Sequence, residues 1–180
     1  EVATGPRAGP PAAALADYAT EVGVDLVVMT PRARGGLQRA WLGSVADRLV
    51  RSLEIPLLLI RPSEGQAALS EPGLEEVLVP LDGSRRAEAA LPTALGVATL
   101  FGARLGLIQA VEPVAMMVDV PMVVPRALDE ELTSLRRREA QDYLDDVAER
   151  ISASGVETRA SAVLSASAFD GIQAATRSPS

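Results

Sequence analysis

The chain has 180 residues, 48% of them hydrophobic, with a formal net charge of −7; that suffices for one domain or two small ones with buried cores and disfavours broad nucleic-acid binding. It contains no Cys, His or Lys, and all 17 basic residues are Arg, which excludes disulfides and thiol chemistry, a His-ligated metal, a Ser–His pair, and a P-loop or Schiff-base lysine. No apolar run reaches the length of about 18 residues a membrane helix needs, and no basic segment followed by an apolar one opens the chain, so the expectation is a cytoplasmic protein with no membrane partner and no signal peptide.

In chain order, Pro11 to Glu21 reads as a helix ending near Gly23, and Asp25 to Met29 as a strand apolar on both faces. Ser44 to Leu53 is amphipathic, with Val45, Leu49, Val50 and Leu53 on one face. Ile55 to Ile60 is a second strand, and Pro56 near its start suggests an edge position. Residues 62–75 read as a linker. The pattern then restarts. Val77 to Leu81 is a strand, Asp82, Gly83 and Ser84 open a helix to about Phe101, and Leu105 to Val111 is a strand. A loop containing Met116 and Met117 precedes a long charged helix from Leu128 to about Ser152. Its apolar stripe is Leu128, Leu132, Leu135, Leu144, Val147 and Ile151. The Arg136–Arg138 run on that helix reads as a solvated face. Val156 to Leu164 is a strand, and a last helix starts near Phe169. This alternation is the mark of an α/β fold with a parallel sheet.

Two motifs carry more than periodicity. Leu26 to Met29 runs into an Arg- and Gly-rich loop, and Gly43 and Ser44 then open a helix. Strand, glycine loop and helix N-terminus are how a parallel α/β sheet presents a phosphate site. The plain alternative is that Ser44 only caps the helix, with Asp47 at the capping-box position. The second motif is Val77 to Leu81 followed by Asp82, Gly83 and Ser84, where Asp82 is either a ligand contact or simply a turn residue.

Taken together, Val77–Ser84 with Ala87–Pro92, Leu105–Val111, and Asp25–Pro62 resemble the universal stress protein family in order and spacing. The resemblance implies a five-stranded parallel sheet with helices on both faces, a Rossmann-like fold of the adenine nucleotide alpha-hydrolase type. It implies ATP, with magnesium, as ligand of a stress-response or signalling module. The nucleotide-binding branch carries Gly-x-x-Gly, nine residues, then Gly-Ser. Here the spacing is kept, but Thr30 and Ala33 replace the first two glycines, while Gly43 and Ser44 stand. The Cβ atoms at 30 and 33 take space the family gives to ribose and phosphate. By resemblance the nucleotide contacts are Met29, Thr30, Ala33, Arg34, Gly43, Ser44, Val45, Pro80, Asp82 and Ala110, with Arg32 and Arg39 as further loop cations. The competing reading is a non-nucleotide interaction or dimerisation module. The family's fifth strand, here Ile55 to Ile60, implies a homo-oligomer or pseudo-dimer. An enzyme is the weakest reading, at most slow ATP hydrolysis, since no general base stands beside a nucleophile in the sequence.

Residues Gly9 to Leu15 can be laid over Ala166 to Ile172, a faint internal repeat. The expected organisation is residues 1–62 as the back half of one universal stress domain, a linker at 63–75, and 76–180 as the front part of a second, whose own nucleotide loop would lie beyond Ser180. The two parts are also able to complete one permuted five-stranded sheet.

Overall fold

Two short apolar segments organise the first part of the chain. The computed structural model describes residues 8–30, 43–60, 73–113 and 126–176, and its contacts divide into two units, Glu1–Glu71 and Pro72–Ser180. In the first unit, α1 (Pro11–Val22) starts on Pro11, whose fixed φ suits a first helical position, and ends at Gly23. Gly23 has a left-handed φ of 71°, and its N–H donates to Ala19 O at 3.1 Å. Strand β1 (Val27–Met29) lies parallel to β2 (Leu57–Leu59), in register from Val27 with Leu57 to Met29 with Leu59. The crossover between them contains α2 (Gly43–Ser52), which packs on α1. The buried side of α2 is set by Ala46 and Leu49, whereas Val50, expected on that face, is exposed. Ala is small enough to let α1 approach, so the helix turns its Ala46 side inward.

In the second unit, β3 (Glu76–Pro80), β4 (Arg104–Val111) and β5 (Thr158–Leu164) form a parallel sheet in that order. The helix expected from 84 to 101 is two helices, α3 (Arg85–Glu88) and α4 (Leu91–Phe101). Pro92 explains the break, because it lacks an N–H and its ring clashes with the carbonyl four residues back. Helix α5 (Arg126–Ile151), a 3₁₀ turn at Ser152–Ser154 and α6 (Ala168–Ala175) complete the unit. The offset that lays Gly9 on Ala166 also lays the start of α1 on the start of α6.

The core of this unit lies between the sheet and α4 with α5. Leu105, Leu107 and Val111 of β4 meet Leu91 and Ala98 of α4 and Ala140, Leu144 and Val147 of α5. The apolar stripe of α5 therefore holds only in its second half, and Leu128 and Leu135 are exposed. Helix α6 covers the opposite face. A Cβ at Gly171 would stand 3.0 Å from the Ala110 Cβ and 3.4 Å from Val163 Cγ2, so this glycine sets the close approach of helix to sheet. Helices thus cover both faces, as expected of an α/β fold.

The single five-stranded sheet is replaced by two sheets, β1–β2 and β3–β4–β5. On its β4 side, β3 is fully engaged: Arg104 N–H donates to Glu75 O and Leu81 N–H to Ile108 O. Its other edge carries Pro80, which has no N–H to offer a further strand. The outer edge of β5 is closed differently. Leu105 N–H donates to Glu157 O and Ser165 N–H to Val111 O, so the intervening residues Ala160 and Ala162 point their backbone groups outward. Helix α5 satisfies them. Gln141 Nε2 donates to Ala160 O at 3.2 Å, Gln141 Oε1 accepts from Ala162 N–H at 2.9 Å, and Arg137 Nε donates to Ala162 O at 3.2 Å. The Gln141 carboxamide stands in for the peptide group of a fourth strand. Arg137 is accordingly more than part of a solvated face.

Candidate functional site

The carboxyl ends of β3 and β4 place the second motif. Pro80 lies opposite Ile108, and the chain continues past Leu81 into a turn built by Asp82. Its Oδ1 accepts from Ser84 N–H at 2.9 Å, and Ser84 Oγ in turn accepts from Ala87 N–H at 3.1 Å, capping α3. Hydrogen bonds from the Ser84 side chain and backbone hold the Asp82 carboxyl below its usual range, so it is ionised at neutral pH. Gly83 has a φ of 82°, the left-handed region where glycine carries no steric cost. Asp82 is a turn residue in this geometry and remains exposed at the sheet edge.

Beside this turn is a cleft of about 490 Å³, lined from below by Gln109, Ala110, Val111 and Glu112 and walled by Arg136, Glu139 and Tyr143 of α5. Because the Ala110 Cβ faces α6, Ala110 offers the cleft its backbone. Gln109 points to the other side of the sheet, with Leu107 and Val111. Its Oε1 is buried and has no hydrogen-bond partner among the described residues. Leaving such an acceptor unmet costs about 1–3 kcal/mol. Tyr143 is fixed at the rim: its OH donates to Glu88 Oε1 at 3.0 Å, and Arg150 Nη2 donates to Glu88 Oε2 at 3.0 Å. Burial, then the Glu88 hydrogen bond and charge, push the Tyr143 phenol up to about 12. Arg150, then Tyr143, hold the Glu88 carboxyl below its usual range.

The first motif lies in the other unit. Met29 ends β1 half-buried, with its carbonyl accepting from Ile60 N–H at 3.0 Å, and Thr30 follows, exposed. Gly43 has a φ of 69° and is the first residue of α2. The expected capping box at Ser44 is not formed by Asp47, which instead pairs with Arg51 at 3.2 Å. Four residues apart on an exposed helix face, the two charges meet directly, which draws the carboxylate away from the helix start. Ser44 is exposed and Val45 half-buried. Ala33, Arg32, Arg34, Arg39 and Trp41 lie outside the described residues, as do Met116, Met117 and most of the expected linker.

Residues 2–61 match the model of the universal stress protein family. The matched segment belongs to the universal stress protein family. A curated universal stress protein of Methanocaldococcus jannaschii is 36% identical over 53 residues, which is 29% of this chain and 31% of that protein. The match thus spans about a third of the relative's length. A solved universal stress protein from Archaeoglobus fulgidus resembles 92% of this chain, over 50% of its own, with a TM-score of 0.58 at 19% identity. That likeness shows the fold across both units. A universal stress family protein from Burkholderia pseudomallei is 28% identical, covering 60% of this chain and 76% of its own, at a TM-score of 0.48.

Of the universal stress positions named from sequence, Pro80, Asp82 and Ala110 share one sheet edge, and Met29, Thr30, Gly43, Ser44 and Val45 belong to the other unit. Sequence reasoning passed over Gln109, Glu139 and Tyr143. Gln109 was detectable: it is the one polar side chain within the apolar run from Leu105 to Val111. The α5 residues gave no such signal, since they sit among many charged neighbours on a long helix.

Proposed function

We propose that this universal stress chain is an adenine-nucleotide-binding stress-response module, with ATP as ligand. The observation that carries the reading is the cleft at the carboxyl ends of β3 and β4. There the Ala110 backbone and Gly83 line the cleft and the turn of the ionised Asp82 adjoins it, at the edge where parallel α/β sheets hold their ligands. In the matched segment, Gly43 with its left-handed φ opens α2 after β1, which supports anion binding at that helix start. Among the described residues no three acidic, His or Cys side chains group to hold a metal ion. In this reading magnesium accompanies the nucleotide's phosphates.

Calorimetric titration with ATP, with and without magnesium, tests the proposal on wild type, Asp82→Ala and Gly43→Trp. Saturable binding weakened in Asp82→Ala supports the cleft. Loss in Gly43→Trp alone moves the site to the 30–45 loop. No binding up to millimolar ATP refutes the reading.

A second reading is favoured by the apolar face of β1–β2. Val28 and Leu58 are register partners and stay 52% and 47% exposed, with Leu26 and Ile60 similarly open. Such a contiguous patch suits an interaction surface, and supports a homo-oligomer through Ile55 to Ile60. No helix of the described residues is long and apolar enough to cross a membrane. Sedimentation of wild type against Leu58→Asp decides it, a concentration-dependent dimer lost in the variant being the supporting result.

A further inference from the structure

We infer that Glu88, which stands outside the cleft, is its positioning residue: the carboxylate ties α3 to α5 and so fixes the Gly83 turn against the Tyr143 wall. This rests on the nucleotide reading above and names the residue that shapes its site. Helix α3 spans only Arg85–Glu88, and a helix of one turn has no stability of its own. Its place is therefore set by bonds at its two ends. At the start, Asp82 Oδ1 accepts from Ser84 N–H and Ser84 Oγ accepts from Ala87 N–H, which makes the helix continuous with the turn that brings Gly83 to the cleft. At the end, the two Glu88 oxygens divide between residues two turns apart on α5: Tyr143 OH donates to one and Arg150 Nη2 to the other, each at 3.0 Å. Gly83 and Tyr143 both line the cleft, so this tie joins two of its walls. The Glu88 side chain is 24% exposed and that of Arg150 57%, so solvent weakens the Arg150 arm more, and the part-buried Tyr143 arm carries most of the hold. Ala87 also packs against the core, but a methyl group gives no direction to the turn. Direction comes from the carboxylate, which holds the Tyr143 ring at the rim and the α3 end opposite it.

The test uses the full chain as wild type, Glu88→Ala, Glu88→Gln, Tyr143→Phe and the double variant Glu88→Ala/Tyr143→Phe. Amide exchange is measured without ligand, ATP is titrated, and thermal unfolding is followed alongside. In Glu88→Ala the expected result is faster exchange at the Ala87 and Glu88 N–H groups and weaker ATP binding, each by about 2-fold to 12-fold, the net worth of one hydrogen bond expressed as a ratio. Glu88→Gln still accepts from Tyr143 and should recover part of the affinity. Tyr143→Phe keeps the ring but loses the tie, so it should weaken ATP binding alone and add nothing in the double variant, because both changes break one bond. A lowered melting temperature with ATP affinity unchanged makes Glu88 a structural residue only and overturns the inference. Exchange at Ala87 unchanged in Glu88→Ala overturns it as well. If wild type binds no ATP, the nucleotide reading fails, and exchange at Ala87 alone decides the tie: faster in Glu88→Ala supports it, unchanged overturns it.

Discussion

Replacing Gln141 by Met removes the side chain that imitates a fourth strand while keeping its length and volume. Two bonds to the β5 edge disappear, the 2.9 Å bond from Ala162 N–H and the 3.2 Å bond to Ala160 O. Ala162 is 2% exposed, so its N–H loses the Gln141 acceptor without gaining water. That donor accounts for most of the cost, about 1–3 kcal/mol. Ala160 O is half-buried and has a second lone pair, so it adds less. Arg137 still donates to Ala162 O, which keeps α5 seated and confines the effect to the edge. Native-state amide exchange is the assay, because the chain has two units and a single unfolding midpoint would blend them. At Ala162 the expected protection loss is about 5-fold to 150-fold, the same energy expressed as a ratio. An uncovered strand edge also recruits other chains, so light scattering should rise with concentration. Arg138→Met, on the exposed side of the same helix, should stay within about 0.5 kcal/mol of wild type. If Ala162 exchanges at the wild-type rate in Gln141→Met, the carboxamide is not serving as an edge cover and the reasoning fails.

Two further perturbations test other links. Gly43→Ala should destabilise α2 by about 1–2 kcal/mol, because Gly43 sits at a φ of 69°; Gly96→Ala, in α4 with nothing within 4 Å of the new Cβ, should stabilise by about 0.5–1 kcal/mol, and amide exchange in α2 and α4 that shifts in the same direction for the pair would contradict the backbone argument. The Glu88 carboxyl is depressed in the folded state by Arg150 and Tyr143, so its contribution is present above the ordinary carboxylate range and is lost as pH falls through the lowered value. Acid unfolding should therefore begin at higher pH in wild type relative to its own neutral-pH stability than in Glu88→Gln. In a Tyr18→Phe background, ultraviolet titration should find the Tyr143 phenol near 12 in wild type and lower in Glu88→Gln; an unmoved phenol would mean that the 3.0 Å Tyr143–Glu88 bond does not persist in solution.

How much of this was legible in the sequence follows from which interactions are local. The alternation of helix and strand, the parallel class and the universal stress resemblance all rest on periodicity and short motifs, and they agree with the fold. Element ends were read less well where a neighbour decides them. Pro92 was visible, yet the split between α3 and α4 depends on its clash with a carbonyl one turn back. The stripe on α5 was drawn from apolar spacing alone, and its second half, Leu144, Val147 and Ile151, joins the core, while Leu128 and Leu135 stay exposed because β4 and β5 end before the helix does. Strand pairing is non-local, so the division into two sheets could not be read from segments that look equally apolar.

The candidate site divides along the same line. Asp82 was named from a motif and Ala110 from the resemblance, but neither could say that the Asp82 carboxylate is already engaged by Ser84. That engagement fixes the turn and caps α3 through its neighbour, which means a structural role and a ligand role compete for the same oxygens. The competition has a consequence. A ligand that takes Asp82 must share it with the Ser84 N–H, so its hold there is weaker than a free carboxylate would give.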